Sequence, residues 1–246
     1  MLFPLRITWR DPRKLDGLDS PGSCKCDDSC DYAIKDETSH PRTPHNEWFY
    51  SELAHSVGIA GPSWAIIEEP SGGMVFGSRW EGGVAKDYWW EMASRGEILL
   101  DDIKPALSRI LAFDHFIHNE DRHLKNYLAR DQRTGWALLA MDYSRSWLFH
   151  DFPPPNLPFA PTDKTRLACR VLHNLFGPYI QLPDVNECLD RIAAVTDADI
   201  ENIVNRHPKE WLTPTEKQDI LSWWRSTSRL DRLRGIGLGI GNGSYL

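Results

Sequence analysis

The chain has 246 residues and a formal net charge of −7, with 41% hydrophobic and 26% charged residues. This composition is typical of a folded globular protein and excludes an intrinsically disordered one. The negative charge, without any basic block, argues against direct nucleic-acid binding, which needs clustered Lys and Arg. No apolar run reaches the roughly eighteen residues of a membrane span, so we expect no membrane partner. Residues 1–6 lack the features of a secretory signal, which predicts a cytoplasmic protein.

The first predicted elements are short and joined by turn residues. Residues 16–23 are rich in Asp, Gly, Pro and Ser, which predicts a loop between two strands. A short apolar strand follows at residues 32–35 and ends in a lysine. Thr43 as N-cap with Pro44 in the first helical position predicts a helix that continues to about Val57.

Three of the five cysteines, Cys24, Cys26 and Cys30, lie close together between these elements. A structural zinc site needs four ligands, usually supplied as two short pairs. No second Cys or His pair follows nearby, and an odd number of cysteines is not typical of a disulfide framework. We therefore predict reduced thiols at this cluster.

The elements after the first helix change from strands to helices. Apolar runs at residues 64–67 and 74–76 flank a Gly-Gly turn and predict a β-hairpin. Apolar residues recur at helical spacing over residues 101–118, and a buried strand is predicted at 136–141. Further helices are predicted at 166–176, 185–195, 197–204 and 215–233. The predicted core positions include Ile110, Leu111, Phe116 and Leu138.

The glycine-rich tail at residues 235–243 has the composition of a phosphate-binding loop. Such a loop requires a strand before it and a helix after it, and neither is predicted here. We therefore expect a flexible or loosely docked terminus. Within the helix at 101–118, Asp114 lies on the apolar face, where a carboxylate needs a partner.

The residues best suited to chemistry are Asp121, Asn126 and Asp142. Asp121 and Asn126 are separated by four residues after a helix, and Asp142 follows the buried strand at 136–141. Phosphoryl transfer needs one carboxylate to orient the nucleophile, with an amide and a second carboxylate to hold Mg²⁺. The order of these elements predicts an α+β, two-lobed, protein-kinase-like fold. Its small β-rich N-lobe covers residues 1–82 and its mostly α-helical C-lobe covers residues 83–246.

These motifs resemble those of HipA-like kinases, the compact bacterial branch of the protein and phosphoinositide kinase superfamily. The resemblance extends from about Ser20 to the final helices. It is carried by Phe113-Asp114, Asn119-x-Asp121-Arg122-His123-x-x-Asn126 and Asp142-Tyr143, with Tyr32-Ala33-Ile34-Lys35, Asn46-Glu47-Trp48 and Phe76-Gly77-Ser78-Arg79 in the first lobe.

The resemblance implies ATP and Mg²⁺ as cofactors, with Asp121 as the catalytic base and Asn126 and Asp142 as metal ligands. It implies that Lys35 contacts the α- and β-phosphates and that Glu47 pairs with this lysine. Glu52, on the same predicted helix, is the alternative partner. Phe76, Gly77 and Ser78 are implied to form the hinge beside adenine.

The resemblance also implies that Ser20, Gly22 and Ser23 belong to a phosphate-covering loop. In some relatives a serine of this loop is autophosphorylated, which ejects the loop and stops activity. Phosphoserine would repel the ATP phosphates, so Ser20 or Ser23 could act in this way. An ordinary Ser-Pro turn is the alternative interpretation.

The leading functional hypothesis is a serine/threonine kinase that phosphorylates an unidentified protein substrate, including itself. Two alternatives remain. One keeps the kinase and changes the acceptor to a small molecule or a lipid headgroup. The other is a catalytically inactive nucleotide-binding scaffold that regulates a partner protein.

Overall fold

The computed structural model describes residues 4–11, 22–38, 40–149 and 153–246, with the backbone alone for Phe149. Its first part is a closed barrel in the strand order β1-β2-β3-β5-β4. Strands β1 and β4 are parallel, and the other neighbours are antiparallel. The strands are β1 (Leu5–Asp11), β2 (Gly22–Cys26), β3 (Asp31–Lys35), β4 (Trp64–Glu68) and β5 (Met74–Arg79), with helix α1 (Thr43–Ser56) between β3 and β4.

The second part of the fold is mostly helical and contains a two-stranded hairpin. Single 3₁₀ turns at Leu124–Asn126 and Trp147–Phe149 stand before and after the hairpin. The helices are α2 (Trp89–Ser94), α3 (Leu100–Phe116), α4 (Lys164–Phe176), α5 (Leu182–Ala194), α6 (Asp197–Arg206), α7 (Pro214–Arg225) and α8 (Thr227–Gly241), and the hairpin strands are β6 (Tyr127–Gln132) and β7 (Gly135–Ala140).

The predicted two-lobed architecture is confirmed, since a small strand-rich part precedes a helical part. The barrel interior is filled by apolar side chains that include Cys24 and Cys26. The larger core lies in the helical part around α3, and all four predicted core residues are buried there (Ile110, Leu111, Phe116 and Leu138). Across the described ranges, every helix is too short or too polar to cross a lipid bilayer.

Two local predictions are wrong. Thr43 is the first residue of α1 instead of its N-cap, which is Arg42 without a side-chain capping bond. The single helix predicted at 215–233 is two helices, because Ser226 has an extended backbone between α7 and α8. The extended conformation of one residue turns the chain and lets α8 pack on α3 and α5.

The prediction of a flexible glycine-rich tail is also wrong, because residues 235–241 continue helix α8. Ile236 and Ile240 are buried on the core side of this helix. Tyr245 folds back so that its ring stacks on His115, with ring centroids 5.6 Å apart. A Cβ at Gly239 would lie 2.5 Å from the Tyr245 ring, so the close packing of the tail requires glycine there. Burial of this apolar face outweighs the low helix propensity of glycine.

Helix α1 is joined to the helical part by a buried pair of histidines. Nδ1 of His45 lies 2.8 Å from Nε2 of His207, and Nδ1 of His207 lies 3.2 Å from the carbonyl oxygen of Val204. Two neutral rings form both hydrogen bonds when Nδ1–H of His45 donates to Nε2 of His207 and Nδ1–H of His207 donates to the carbonyl oxygen of Val204. Burial lowers the pKa of His207 to about 3 and holds that of His45 well below its usual range.

This pair makes the stability of the protein depend on pH. The unfolded chain binds a proton at each of these histidines below about pH 6.5, and the folded chain does not. The stability that His207 contributes is therefore complete above pH 6.5 and is lost as the pH falls towards 3. We expect the free energy of unfolding to be about 2 kcal/mol lower at pH 5 than at pH 7 from His207 alone.

Urea titrations of wild type and His207→Gln at pH 5 and pH 7 measure this effect. The difference between the two pH values should shrink by about 2 kcal/mol in the variant. His173→Gln, on the exposed face of α4, is the matched control and should keep the wild-type pH dependence. An unchanged pH dependence in His207→Gln would contradict the assignment.

Candidate active site

The structure brings the predicted lysine, glutamate and aspartate together between the two parts of the fold. Lys35 ends β3, Glu47 lies on α1, and Asp142 follows β7. Nζ of Lys35 lies 3.3 Å from Oε1 of Glu47 and 3.0 Å from Oδ1 of Asp142. The Glu47 side chain is only 3% exposed, and Lys35 is 12% exposed. One partly buried ammonium therefore links the barrel, helix α1 and the segment after the hairpin.

Geometry decides between the two glutamates that the sequence leaves open. Glu52 points away from Lys35: it accepts a hydrogen bond from the Trp64 indole nitrogen at 3.3 Å and pairs with Arg206. Glu47, by contrast, also accepts a hydrogen bond from the backbone nitrogen of Tyr143 at 3.1 Å. Five positions along an α-helix correspond to about 1.4 turns. The side chains of Glu47 and Glu52 therefore leave α1 on different faces.

The charges of the site are coupled through the same contacts. Burial raises the pKa of Glu47 to about 7; Lys35 opposes this shift and Asp142 adds to it. Burial alone would raise the pKa of Asp142, but Lys35 and hydrogen bonds from Ser144, Lys35 and Glu47 hold it below its usual value. The structure thus keeps Asp142 ionised, as a cation ligand must be.

Asp142 has an unusual backbone that places its carboxylate. Its φ is 65°, in the left-handed region that non-glycine residues seldom adopt, and Oγ of Ser144 donates to its Oδ1 at 2.7 Å. The neighbouring Met141 nitrogen donates to the carbonyl oxygen of Asn126 at 3.0 Å, which joins the two ends of the hairpin. Asn126 in turn donates from Nδ2 to the carbonyl oxygen of Asp121 at 3.1 Å. Asp121, Asn126 and Asp142 are therefore brought together as the sequence predicts.

A buried ion pair supports the loop that carries Asp121. Arg122 donates from Nε to Oδ2 of Asp114 at 2.8 Å and from its second guanidinium nitrogen to Oδ1 at 3.0 Å. The two side chains are 1% and 0% exposed. Burial alone would lower the pKa of Arg122, but Asp114 outweighs burial and raises it, so the guanidinium stays charged. The remaining guanidinium nitrogen donates to the carbonyl oxygen of Asn126, a predicted metal ligand, and to that of Met141, which precedes the other predicted ligand, Asp142.

Two residues of α4 contact the same loop and were not predicted from the sequence. Nζ of Lys164 lies 2.5 Å from Oδ1 of Asp121. The buried hydroxyl of Thr165 accepts from the backbone nitrogen of Arg122 at 3.0 Å and donates to the carbonyl oxygen of Asn119. The only sequence signal is that the first turn of α4 contains Lys164 and Arg166 and no acidic residue, directly after an acidic N-cap, Asp163.

The predicted nucleotide-binding residues lie on or beside the barrel. Phe76 and Ser78 line a cavity that Glu47 and Asp142 also reach. Gly77 faces the opposite way, and a Cβ there would lie 2.3 Å from Ile67 Cδ1 in the barrel interior. A nucleotide contact at Gly77 therefore stays a prediction that only its backbone could fulfil.

The predicted phosphate-covering loop is described in part. Gly22 and Ser23 begin β2, where Ser23 pairs with Asp11 and Ala33, and Ser20 lies outside the described residues. Roles for these three residues in nucleotide binding or autophosphorylation remain predictions.

The donor atoms of the site fit a magnesium ion. A carboxylate on Asp142 and an amide oxygen on Asn126 are hard oxygen ligands of the kind that Mg²⁺ prefers. Within the described ranges, no group of three or more His, Cys, Asp or Glu side chains is placed to hold a metal ion. A magnesium ion at this pair would therefore complete its coordination with phosphate and water oxygens.

Comparisons with known proteins agree with this geometry. A family model for HipA-like kinases matches residues 12–233, so the chain belongs to the HipA-like kinase family. The proinflammatory kinase CtkA of Helicobacter pylori is similar in fold, with a TM-score of 0.60 and 12% identity over 94% of this chain and 96% of CtkA.

A second similar structure is that of the Shewanella oneidensis MR-1 toxin–antitoxin system HipA, HipB and its operator DNA. Its matching chain has 13% identity and a TM-score of 0.48, over 91% of this chain and 62% of that one. A search of curated protein sequences finds no match.

The contacts of Glu47 predict the effect of its removal. Glu47→Gln should lower kcat/KM for phosphoryl transfer by about ten- to a hundredfold, as is usual for partners that orient a site from outside it. The reason is that Lys35 and the Tyr143 backbone lose their shared carboxylate. Glu52→Gln, on the same helix, is the matched control and should stay close to wild type. Equal losses in the two variants would contradict the geometry.

Proposed function

We propose that this protein is an ATP-dependent serine/threonine kinase that phosphorylates a protein hydroxyl, including one of its own. The observation that carries the proposal is a set of contacts between separate elements. Lys35 pairs with Glu47 and Asp142. Asn126 is hydrogen-bonded to the backbone of Asp121 and to that of Met141, the residue before Asp142. The Lys35–Glu47 pair matches the strand-lysine and helix-glutamate ion pair that must be in place in protein kinases.

Each residue has a defined part in the reaction. The acceptor oxygen forms a bond to the γ-phosphorus while the bond from that phosphorus to the bridging oxygen breaks, and ADP leaves with the electron pair. The proton of the acceptor hydroxyl passes to the carboxylate of Asp121. Lys35 holds the α- and β-phosphates in place. Mg²⁺, when bound at Asn126 and Asp142, neutralises the charge of the phosphates.

Membership of the HipA-like kinase family and the ionised carboxylate of Asp142 support the transfer of a phosphoryl group from ATP. The choice of a protein as the acceptor rests on the resemblance of the motifs. A lipid headgroup is the weaker alternative, because the sequence lacks the basic cluster that anionic membrane surfaces attract. A regulatory scaffold is also weaker, because each position that phosphoryl transfer requires is filled.

Incubation of the purified protein with γ-labelled ATP and Mg²⁺, followed by mass mapping, tests the proposal. We expect label on wild type and none on Asp142→Asn. Label at Ser20 or Ser23 would support autophosphorylation of the predicted phosphate-covering loop, and the Ser20→Ala and Ser23→Ala variants would identify the site. Failure to bind ATP in calorimetry would overturn the kinase assignment.

A further inference from the structure

We propose that Lys164, the first residue of α4, is a catalytic residue that leaves Asp121 and binds the γ-phosphate when ATP enters the site. This inference rests on the proposed kinase function. Lys164 lies far from the catalytic motifs in the sequence, and its Nζ is 2.5 Å from Oδ1 of Asp121.

The position of Lys164 is fixed by the loop that it faces. Its neighbour Thr165 is 1% exposed and makes three contacts with this loop. The Thr165 backbone nitrogen donates to the carbonyl oxygen of Glu120 at 3.2 Å, and its hydroxyl is bonded to Arg122 and Asn119. The start of α4 is therefore anchored to the segment that carries Asp121. The backbones of Lys164 and Asp121 are thus held together, whereas the two partners of an ordinary surface ion pair are held independently.

The loop's own cations are used elsewhere. Arg122 is committed to Asp114 and to two carbonyl oxygens. Lys125 points to the ring of Tyr88, with its Nζ 5.4 Å from the ring centroid. Lys164 thus brings to Asp121 a positive charge that Arg122 and Lys125 do not provide.

The chemistry requires such a charge beside Asp121. The attacking hydroxyl must lie between Asp121 and the γ-phosphorus, so the phosphoryl oxygens approach a carboxylate that repels them. The Lys164 side chain is 53% exposed, and its flexible stem lets the ammonium shift towards those oxygens. This movement stabilises the charge of the transferring phosphoryl group and frees an oxygen of Asp121 to accept the hydroxyl proton.

Binding measurements separate a γ-phosphate contact from a merely structural role. With Mg²⁺ present, the affinities of ADP and of a non-hydrolysable β,γ-imido analogue of ATP are measured by calorimetry. In Lys164→Met we expect about tenfold weaker binding of the ATP analogue, the loss of one charge-assisted contact. ADP binding should stay close to wild type. Lys164→Arg should retain most of the affinity, and Lys209→Met, on the exposed segment between α6 and α7, should change neither nucleotide.

A double-mutant cycle with Asp121→Asn completes the test. If Lys164 contacts the γ-phosphate, its removal in the Asp121→Asn background should still weaken the ATP analogue more than ADP. If Lys164 acts only by neutralising Asp121, the selective loss should disappear in that background, which would overturn the proposal. Equal losses for both nucleotides would overturn it as well. Wild type that binds neither nucleotide would instead overturn the kinase function itself.

Discussion

Replacing Asp121 by Asn should leave a folded protein that binds Mg-nucleotide and transfers its phosphoryl group about 10²- to 10⁴-fold more slowly. The carboxylate is the group that takes the hydroxyl proton, and the isosteric amide keeps the volume of the site without its basicity. The Asn126 side chain donates to the backbone carbonyl of Asp121, and the backbone nitrogen of Arg122 donates to the Thr165 hydroxyl. Neither contact involves the Asp121 side chain, so the loop should keep its conformation.

Single-turnover rates with γ-labelled ATP measure the loss, and thermal melts check the fold. Asp131→Asn, on the exposed end of the β6–β7 hairpin, removes a carboxylate of the same kind and should retain the wild-type rate. Full activity in Asp121→Asn would show that another group takes the proton and would remove the central residue of the proposed mechanism.

The second large effect is expected at Asp114. Asp114→Asn leaves the buried Arg122 guanidinium without its counter-charge, and breaking a buried ion pair in this way typically costs about 3–5 kcal/mol. For a chain of this length we expect the melting temperature to fall by about 10 °C. Activity should fall too, because Arg122 also holds the backbone of Asn126 and Met141.

Two further variants make this prediction specific. Asp231→Asn breaks the exposed pair with Arg234, in which the side chains are 65% and 74% exposed, and should change stability by about 0.5 kcal/mol or less. The double variant Asp114→Leu with Arg122→Met replaces the ion pair by apolar side chains and should be more stable than Asp114→Asn. A melting temperature of Asp114→Asn equal to wild type would contradict the role of the pair.

Local patterns in the sequence determined much of the fold. The helix at α3, the strand at β7 and the β4–β5 hairpin follow from apolar periodicity and turn residues, which act over a few positions. The order of these elements and the spacing of Asp121, Asn126 and Asp142 predicted the kinase-like architecture, and the resemblance of the motifs indicated the family. The tail at 235–241 could not be predicted in this way, because its glycines say nothing of the apolar core that covers Ile236 and Ile240.

Only the tertiary structure decided which charges meet. The sequence favoured Glu47 and kept Glu52, on the same helix, as the alternative; the direction in which α1 faces β3 selected Glu47. It indicated that Asp114 needs a partner, but the partner, Arg122, became evident only when the end of α3 and the following loop were folded together. Lys164 reaches Asp121 because Thr165 anchors α4 to that loop. Periodicity reports which face of an element is buried, whereas contacts between distant segments depend on how those elements pack, and the reactivity of this site depends on such contacts.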